Sequence, residues 1–295
     1  MKETDPKLHA DEVDVGPERV RQMLFEQFPR YARLPIRMIA SPGTVNAVYR
    51  LGNDLCVCMP RGPKWIDALK RELTWLPVLA PRLPLAIPQP VAEGWPTATY
   101  PFPWAIYRWI EGQTYEEDLV QDECEAAGTL ARFVTEMRQV DMTGAPRGGR
   151  RPLGELDVRT REAIKAAGDL IDAVAVTAAW EYARRAPAWD GNPVWIHADL
   201  LRPNLLVRDG RLSAVIDFGS MGVGDPAADV IPAWSVFGPA GREIYRRQLQ
   251  VDDGTWQRGR AYALHQAILI VPYYAGSKPE FAGLAQRTIR EIIGS

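Results

Sequence analysis

Polar residues that could bind a metal ion and accept a proton are concentrated in one short stretch of the sequence. His197, Asp199 and Asn204 follow the apolar run VWI, and Asp217 ends a later apolar run, LSAVI. Short strands would deliver these side chains to one end of a small β-structure. Carboxylate and amide oxygens that lie close together suit a hard cation such as Mg²⁺, which often completes its coordination with phosphate oxygens. The stretch therefore predicts a magnesium site.

A hairpin is predicted inside the same stretch. Asp209 and Gly210 separate the apolar run LLV from the run that ends at Asp217. The Asp-Gly pair is typical of two-residue β-hairpin turns, because both positions adopt positive φ angles readily. The polar residues at the strand ends could also be ordinary turn residues, since Asp and Asn are common there.

Composition limits the classes of protein that need to be considered. The chain has 295 residues, 46% of them hydrophobic, and a formal net charge of -2. These values predict a packed globular protein and give no electrostatic case for a nucleic-acid or membrane partner. The three cysteines, Cys56, Cys58 and Cys124, are too few for a disulfide framework and suit a reducing compartment. The charged N-terminus resembles no signal peptide, so we expect a cytoplasmic location.

The order of predicted elements indicates two lobes. A helix from Pro17 to Phe28 precedes a β-rich region, and a helix over 65–76 carries Glu72 off its apolar face. A proline-rich stretch then leads to a strand at 104–110, and the remainder is mainly helical. We expect an α+β chain with a small β-rich N-terminal lobe at 1–107, a hinge at 108–112 and a larger, mainly helical lobe at 113–295.

Two charged segments of the second lobe have less specific patterns. The segment 143–152 is basic and rich in glycine and proline, which is typical of a flexible, solvated connection. An acidic cluster lies at 116–125, and its field could attract a polycationic ligand. Runs of charge more often form a solvated face, so the acidic cluster does not decide the ligand.

The spacing of the site residues resembles a known family. His197-Ala198-Asp199 with Asn204, followed by Asp217-Phe218-Gly219, is similar to the catalytic and metal-binding motifs of protein-kinase-like folds. Together with IASPGTVNAVYRLG, YRWIEG and VGDPAADV, the pattern resembles the aminoglycoside and macrolide phosphotransferases over nearly the whole chain. The resemblance implies a two-lobed, protein-kinase-like fold.

The resemblance also implies roles for particular residues. Asp199 would accept the proton of a substrate hydroxyl, while Asn204 and Asp217 would hold Mg²⁺ against the phosphates of ATP or GTP. His197 would orient the loop through hydrogen bonds, and Asp225 would tie the loop to the core of its lobe. The nucleotide itself would be bound by two further sets of residues. These are Ser41, Gly43 and Thr44 in a phosphate loop, and Tyr107, Trp109 and Ile110 along the hinge, where a strand edge would offer unpaired backbone groups.

One departure from the family pattern concerns the phosphate grip. The related kinases carry a cation on the third strand, paired with a glutamate on the next helix. Glu72 stands at the glutamate position, but the strand position holds Cys58, which carries no positive charge. Arg61 is the first candidate to replace the missing cation, with Lys64 and Arg50 nearby. A milder departure is Ala198, which stands where glycine is common.

The predicted function is that of a phosphotransferase with an alcohol acceptor. The acceptor would be a small hydroxylated molecule, such as an aminoglycoside or macrolide antibiotic, which implies a role in antibiotic resistance. Two alternatives stay open. One is a metabolic small-molecule kinase, and the other is a nucleotide-binding pseudokinase, suggested by Cys58.

Overall fold

The chain forms two compact units. The structure, a computed structural model, describes residues 13, 15–39 and 46–294. The first unit comprises the described residues up to Pro81, together with Ala86–Glu111 and Ile216–Gly219. The second unit comprises Arg82–Leu85, Gly112–Val215 and the described residues from Ser220 onward. The lobe boundaries at 107 and 113 stay a prediction, and Asp217 belongs to the first unit.

An antiparallel sheet forms the centre of the first unit. Its strands are β1 (Ile36–Met38), β2 (Asn46–Leu51), β3 (Leu55–Pro60), β4 (Pro90–Gly94) and β5 (Trp104–Arg108), and they lie in the order β1-β2-β3-β5-β4. Tyr49, Val57 and Trp104 are fully buried in its core, where they meet Met23 of helix α1 (Pro17–Gln27). Apolar side chains on alternate strand positions thus fix one face of the sheet against α1.

The helix that carries Glu72 is longer than its sequence predicts. Helix α2 runs from Ile66 to Leu79 and contains Pro77, whereas the proline was expected to end the helix at Leu76. The predicted end is wrong. Pro77 removes only one backbone hydrogen bond, whereas Leu76 and Leu79 are both fully buried in the helical conformation. The apolar packing of the last turn outweighs the lost bond.

The second unit combines a two-stranded and a three-stranded antiparallel sheet with helices. Strand β7 (Val194–Ile196) pairs with β10 (Gly222–Gly224), and β8 (Leu205–Arg208) pairs with both β6 (Gln113–Thr114) and β9 (Arg211–Val215). The turn between β8 and β9 is the predicted hairpin, with φ angles of 53° at Asp209 and 80° at Gly210. These positive angles explain why an Asp-Gly pair stands there.

Helices make up most of the remaining second unit. They are α3 (Glu123–Arg138), α4 (Leu153–Ala167), α5 (Ala173–Ala183), α6 (Pro232–Ser235), α7 (Pro239–Leu249), α8 (Asp253–Tyr274) and α9 (Pro279–Ile293). Helix α8 packs against both α4 and α9, so its residues are buried on more than one side. Within the described residues, helices long and apolar enough to cross a membrane are absent.

Candidate active site

The carboxylate of Asp199 is held by two side-chain amides. The Nε2 of Gln266 donates to Asp199 Oδ1 at 2.8 Å, and the Nδ2 of Asn204 donates to Asp199 Oδ2 at 3.0 Å. Asn204 Nδ2 also donates to the backbone oxygen of Asp199 at 2.8 Å. Asp199 and Asn204 are therefore brought together as predicted, and the carboxylate is oriented by neutral donors.

Arg150 fixes the orientation of the Gln266 amide. Its Nη2 donates to Gln266 Oε1 at 2.8 Å and to the backbone oxygen of Ala198 at 3.2 Å. Because an amide has one accepting and one donating end, binding Oε1 to a guanidinium turns Nε2 toward Asp199. Burial lowers the pKa of Arg150 below its ordinary value, and the nearby Asp199 carboxylate opposes that change.

Asp229 holds the backbone of the loop just before Asp199. Its fully buried carboxylate accepts the N–H of His197 at 2.8 Å and the N–H of Ala198 at 2.7 Å. Ala198 has a φ of 68°, a left-handed conformation that is unfavourable for residues other than glycine. The two bonds from Asp229 stabilise that conformation, which explains how alanine is tolerated where glycine is common.

His197 and Asp225 have the positions expected of structural residues. His197 is fully buried, and its Nδ1 accepts the N–H of Asp199 at 3.3 Å. Asp225 accepts the N–H of Ala227 at 2.9 Å, and its oxygens receive the Nε and Nη2 of Arg258 on α8 at 2.8 and 3.1 Å. Asp225 thus links the segment after β10 to the helical core of the second unit.

The first unit contains a separate group of predicted site residues. Tyr107 donates its hydroxyl to Glu72 Oε2 at 2.9 Å, so Glu72 has a neutral partner where related kinases have a cation. Burial raises the pKa of Glu72 to about 7, the Asp217 carboxylate adds to that rise, and the Tyr107 hydroxyl and Arg71 oppose it. Glu72 and Asp217 are thus electrostatic neighbours.

Cys58 lies beside these two carboxylates. Burial raises the pKa of the Cys58 thiol well above its ordinary value, and Glu72 and Asp217 raise it further. A thiol with a raised pKa is neutral at physiological pH. The strand position that was expected to be basic is therefore close to Glu72 and Asp217 but contributes no charge there.

The candidate replacements for the missing cation have other contacts. The guanidinium of Arg50 lies 4.1 Å from the centre of the Trp109 ring and 2.6 Å from Glu111 Oε1. The ammonium of Lys64 lies 4.7 Å from the centre of the Trp65 ring. Arg61 is buried, and its backbone oxygen accepts the N–H of Val13 at 2.8 Å. The phosphate-binding role of Arg61 stays a prediction. Ser41, Gly43 and Thr44 lie outside the described residues.

Backbone groups of the predicted hinge are partly used within the first unit. Tyr107 pairs with Cys56 on one side and with Pro90 on the other. The N–H of Arg108 donates to Gln89 at 2.9 Å, and the N–H of Trp109 donates to Asp54 at 2.8 Å. The expectation of unpaired backbone groups is wrong at Tyr107 and Arg108, because β5 lies between β3 and β4, and at the N–H of Trp109, which the Asp54 oxygen accepts. Ile110 lies beyond these bonds, and the nucleotide-binding role of Tyr107, Trp109 and Ile110 stays a prediction.

The donor chemistry of Asn204 and Asp217 fits a magnesium ion. Nδ2 of Asn204 is used by Asp199, which leaves the amide oxygen to serve as a ligand. Among the described residues, clusters of three or more His, Cys, Asp or Glu side chains that could hold a metal ion are absent.

Four contacts around these residues were missed by reasoning from the sequence. They involve Arg150, Gln266 and Asp229 in the second unit and the Tyr107 hydroxyl in the first. Gln266 lies 67 residues beyond Asp199, so no local spacing indicates the pair. Asp229 lies four residues after Asp225 in the segment VGDPAADV, which resembles the family pattern. That position is the sequence feature that could have indicated a role for Asp229.

The antiparallel sheet of the N-terminal region, the helical C-terminal part and the loop around Asp199 together define a kinase-like phosphotransferase. The chain belongs to the phosphotransferase enzyme family, whose model matches residues 39–262. It is 27% identical over 237 residues to viomycin phosphotransferase of Streptomyces vinaceus, covering 74% of this chain and 82% of that protein.

Solved structures show the same fold. The GDP complex of aminoglycoside 2'-phosphotransferase-IIIa matches with a TM-score of 0.72 at 18% identity, covering 94% of this chain and 98% of that one. A macrolide 2'-phosphotransferase from Brachybacterium faecium matches with a TM-score of 0.58 at 21% identity, covering 87% and 93% of the two chains. The predicted family and the kinase-like α+β fold are confirmed, and the pseudokinase alternative is not favoured.

Proposed function

We propose that this enzyme transfers the γ-phosphoryl group of ATP or GTP to a hydroxyl group of a small molecule. The observation that carries the proposal is the setting of Asp199, whose two carboxylate oxygens each accept one bond from a neutral amide. An oriented carboxylate with remaining lone pairs can receive the proton of an attacking hydroxyl. Phosphoryl transfer needs mainly such positioning, because its loose transition state asks little of the base until late.

Magnesium dependence is part of the proposal. Asn204 and Asp217 would hold the ion through their side-chain oxygens, and the bound ion would neutralise charge on the nucleotide phosphates. His197, Ala198 and Asp229 would keep the loop in place during the reaction, since their hydrogen bonds do not involve the substrate. GDP, ADP and ATP complexes of structural neighbours support a nucleotide co-substrate.

The acceptor is proposed to be an antibiotic-like natural product rich in hydroxyl groups. Viomycin, aminoglycoside and macrolide phosphotransferases are the named relatives and neighbours of this chain, which supports a role in antibiotic resistance. A metabolic small molecule is the alternative acceptor. A screen of both classes, with phosphorylated product detected by mass, separates them.

The direct test is the substitution Asp199→Asn, which keeps the shape of the side chain and removes its basicity. We expect kcat for phosphate transfer to fall by about 100-fold to 10,000-fold, the usual contribution of a general base, while nucleotide binding is retained. Asp209→Asn is the matched control, because Asp209 lies in the exposed hairpin turn. Unchanged transfer by Asp199→Asn would overturn the proposed mechanism, and absence of transfer from any nucleotide to any acceptor would overturn the function.

A further inference from the structure

A narrow cleft in the second unit is lined by the loop that carries Asp199. Leu201, Arg202 and Pro203 of that loop form part of its lining, and Gln266 of α8 lines it as well. The Nε2 of Gln266 donates to Asp199 Oδ1 at 2.8 Å, so the lining of the cleft is in direct contact with the proposed base. A molecule anchored in the cleft is therefore one side chain away from Asp199.

Helices α8 and α9 supply most of the remaining lining, and their side chains there are mainly apolar. These side chains are Ala263, Ala267 and Ile270 of α8 and Phe281, Leu284 and Ala285 of α9. The cleft has a volume of about 20 Å³, which is room for one methyl-sized group and not for a whole acceptor. It can thus anchor one apolar substituent, with the rest of the acceptor outside.

An apolar surface continues along α8 beyond the cleft. Ile270 and Tyr274 follow Gln266 at intervals of four residues, so all three lie on one face of the helix. The ring centre of Tyr274 lies 5.1 Å from that of Phe281 and 4.7 Å from that of Tyr273, whose side chain is exposed. Exposed apolar surface beside a functional carboxylate suits a ligand that has an apolar side of its own.

Polar groups at the cleft already have partners. Among the described residues that line the cleft, carboxylates are absent and Arg202 is the one charged side chain. Glu117 Oε1 lies 2.5 Å from Arg202 and 3.1 Å from Arg287, so two guanidinium groups share one carboxylate. The hydroxyls of Ser235 and Thr288 donate to backbone oxygens four residues earlier. A charged substituent in the cleft would lose its hydration without compensation.

The acidic cluster at 116–125 gives less support to a polycationic acceptor than its composition suggests. Besides Glu117, two of its members have structural roles. Asp122 caps the N-terminus of α3, and Glu123 accepts the N–H groups of Gly238 and Gly241. These carboxylates stabilise helix ends, and their position in the sequence does not indicate a ligand.

We propose that the acceptor is a hydroxylated molecule with an apolar side, and that the cleft binds one of its methyl-sized substituents next to Asp199. Ile270 and Phe281 are the contacts that determine specificity, because both are apolar, half-buried and part of the lining. This inference rests on the proposed phosphotransferase function and narrows its acceptor. A cationic group elsewhere on the acceptor is compatible with it, since the cleft selects only the substituent that enters.

The classes of acceptor named for the structural neighbours differ in this property. A macrolide has a methyl-rich ring, whereas an aminoglycoside has a polar and cationic surface. The test therefore compares the phosphorylation of erythromycin, a macrolide, with that of kanamycin, an aminoglycoside. With the full chain, ATP and Mg²⁺, we expect kcat/KM to be at least about tenfold higher for erythromycin, the usual value for one small group in an apolar pocket.

A substitution in the lining tests the cleft itself. Ile270→Ser should lower kcat/KM for erythromycin about tenfold and leave KM for ATP unchanged. Leu269→Ser is the matched control, because Leu269 is a half-buried aliphatic residue of the same helix that lies outside the lining. Urea unfolding checks that both variants are folded. If Ile270→Ser does not fold, Ile270→Thr takes its place, since threonine keeps the branched shape and replaces a methyl group by a hydroxyl.

A higher kcat/KM for kanamycin, or equal effects of Ile270→Ser and Leu269→Ser on erythromycin, would overturn the inference. If neither antibiotic is phosphorylated, calorimetry decides. Binding of erythromycin that Ile270→Ser weakens and Leu269→Ser does not would support the inference, and no binding of erythromycin would overturn it. Failure of the proposed function is distinguishable, since the protein would then transfer phosphate to no antibiotic and no metabolite. Transfer to polar acceptors alone would overturn only the apolar preference.

Discussion

The surroundings of Asp199 and those of Cys58 differ in how their charges are balanced. Each oxygen of Asp199 meets a side-chain amide, and Asp229 holds the preceding backbone through two N–H groups. Beside Cys58, burial together with the carboxylates of Glu72 and Asp217 raises the pKa of a thiol that supplies no charge. In the first region the carboxylate is oriented by neutral donors, whereas in the second two carboxylates lie beside a neutral thiol.

Among substitutions that leave Asp199 itself in place, the largest effect is expected at Asp229, on which the order of the first region depends. Asp229→Asn keeps one accepting oxygen and directs an amide donor at the second N–H group. We expect the free energy of unfolding to fall by about 2 kcal/mol, the value for a hydrogen bond to a charged group, and kcat to fall about 100-fold. Urea unfolding and steady-state kinetics measure both quantities. Asp209→Asn serves again as the control, and retention of both properties by Asp229→Asn would show that other contacts hold the loop.

A smaller effect is expected at Gln266, which we assign as a positioning residue. Gln266→Met removes the bond to Asp199 Oδ1 and leaves Arg150 without its side-chain acceptor. We expect kcat to fall about tenfold, the equivalent of one net hydrogen bond, while KM for the nucleotide stays the same. Gln257→Met on the exposed side of the same helix is the control. A change confined to KM for the nucleotide would contradict a positioning role.

The second region is probed by restoring the missing charge. Cys58→Lys places an ammonium group beside Glu72 and Asp217, and Cys58→Met adds similar bulk without charge. We expect the lysine variant to lower KM for ATP about threefold to tenfold relative to the methionine variant, because a charge-assisted contact to the phosphates becomes possible. Equal KM values in the two variants would indicate that the wild-type phosphate site is already complete and that the contrast between the regions is structural only.

The two regions also differ in how far the sequence predicts them. The spacing of Asp199 and Asn204 in a short loop indicates their contact, because local geometry between two strands fixes it. The Asp209-Gly210 turn was likewise predictable from backbone preferences alone. In each case the partners are a few residues apart.

Long-range contacts were beyond reach for a physical reason. Tyr107 and Glu72 are 35 residues apart, and their contact depends on how α2 packs near the sheet. The segment 143–152 has the composition of a loop, and its order comes from pairing with β10, which no local pattern encodes. The backbone N–H groups of Arg108 and Trp109 were expected to be unpaired, but both are bonded. The position of β5 inside its sheet depends on the topology of the whole sheet, which the local sequence does not indicate.

The smallest effect is expected in the pH dependence of stability caused by Glu72. Its pKa of about 7 in the folded protein lies above the ordinary value of 4.5. Between these values the folded state binds more protons than the unfolded state, so the free energy of unfolding falls as pH rises from 4.5 to about 7. We expect a fall on the order of 1 kcal/mol in the nucleotide-free protein, since partial exposure of Glu72 reduces the effect. Urea unfolding across this range should show the fall in the free energy of unfolding in the wild type and not in Glu72→Gln.

A second variant tests the same carboxyl group. Tyr107→Phe removes the hydroxyl that lowers the pKa of Glu72 and should extend the fall in the free energy of unfolding to higher pH. A Glu72→Gln variant with the same pH dependence as the wild type would show that the second region is balanced by other charges.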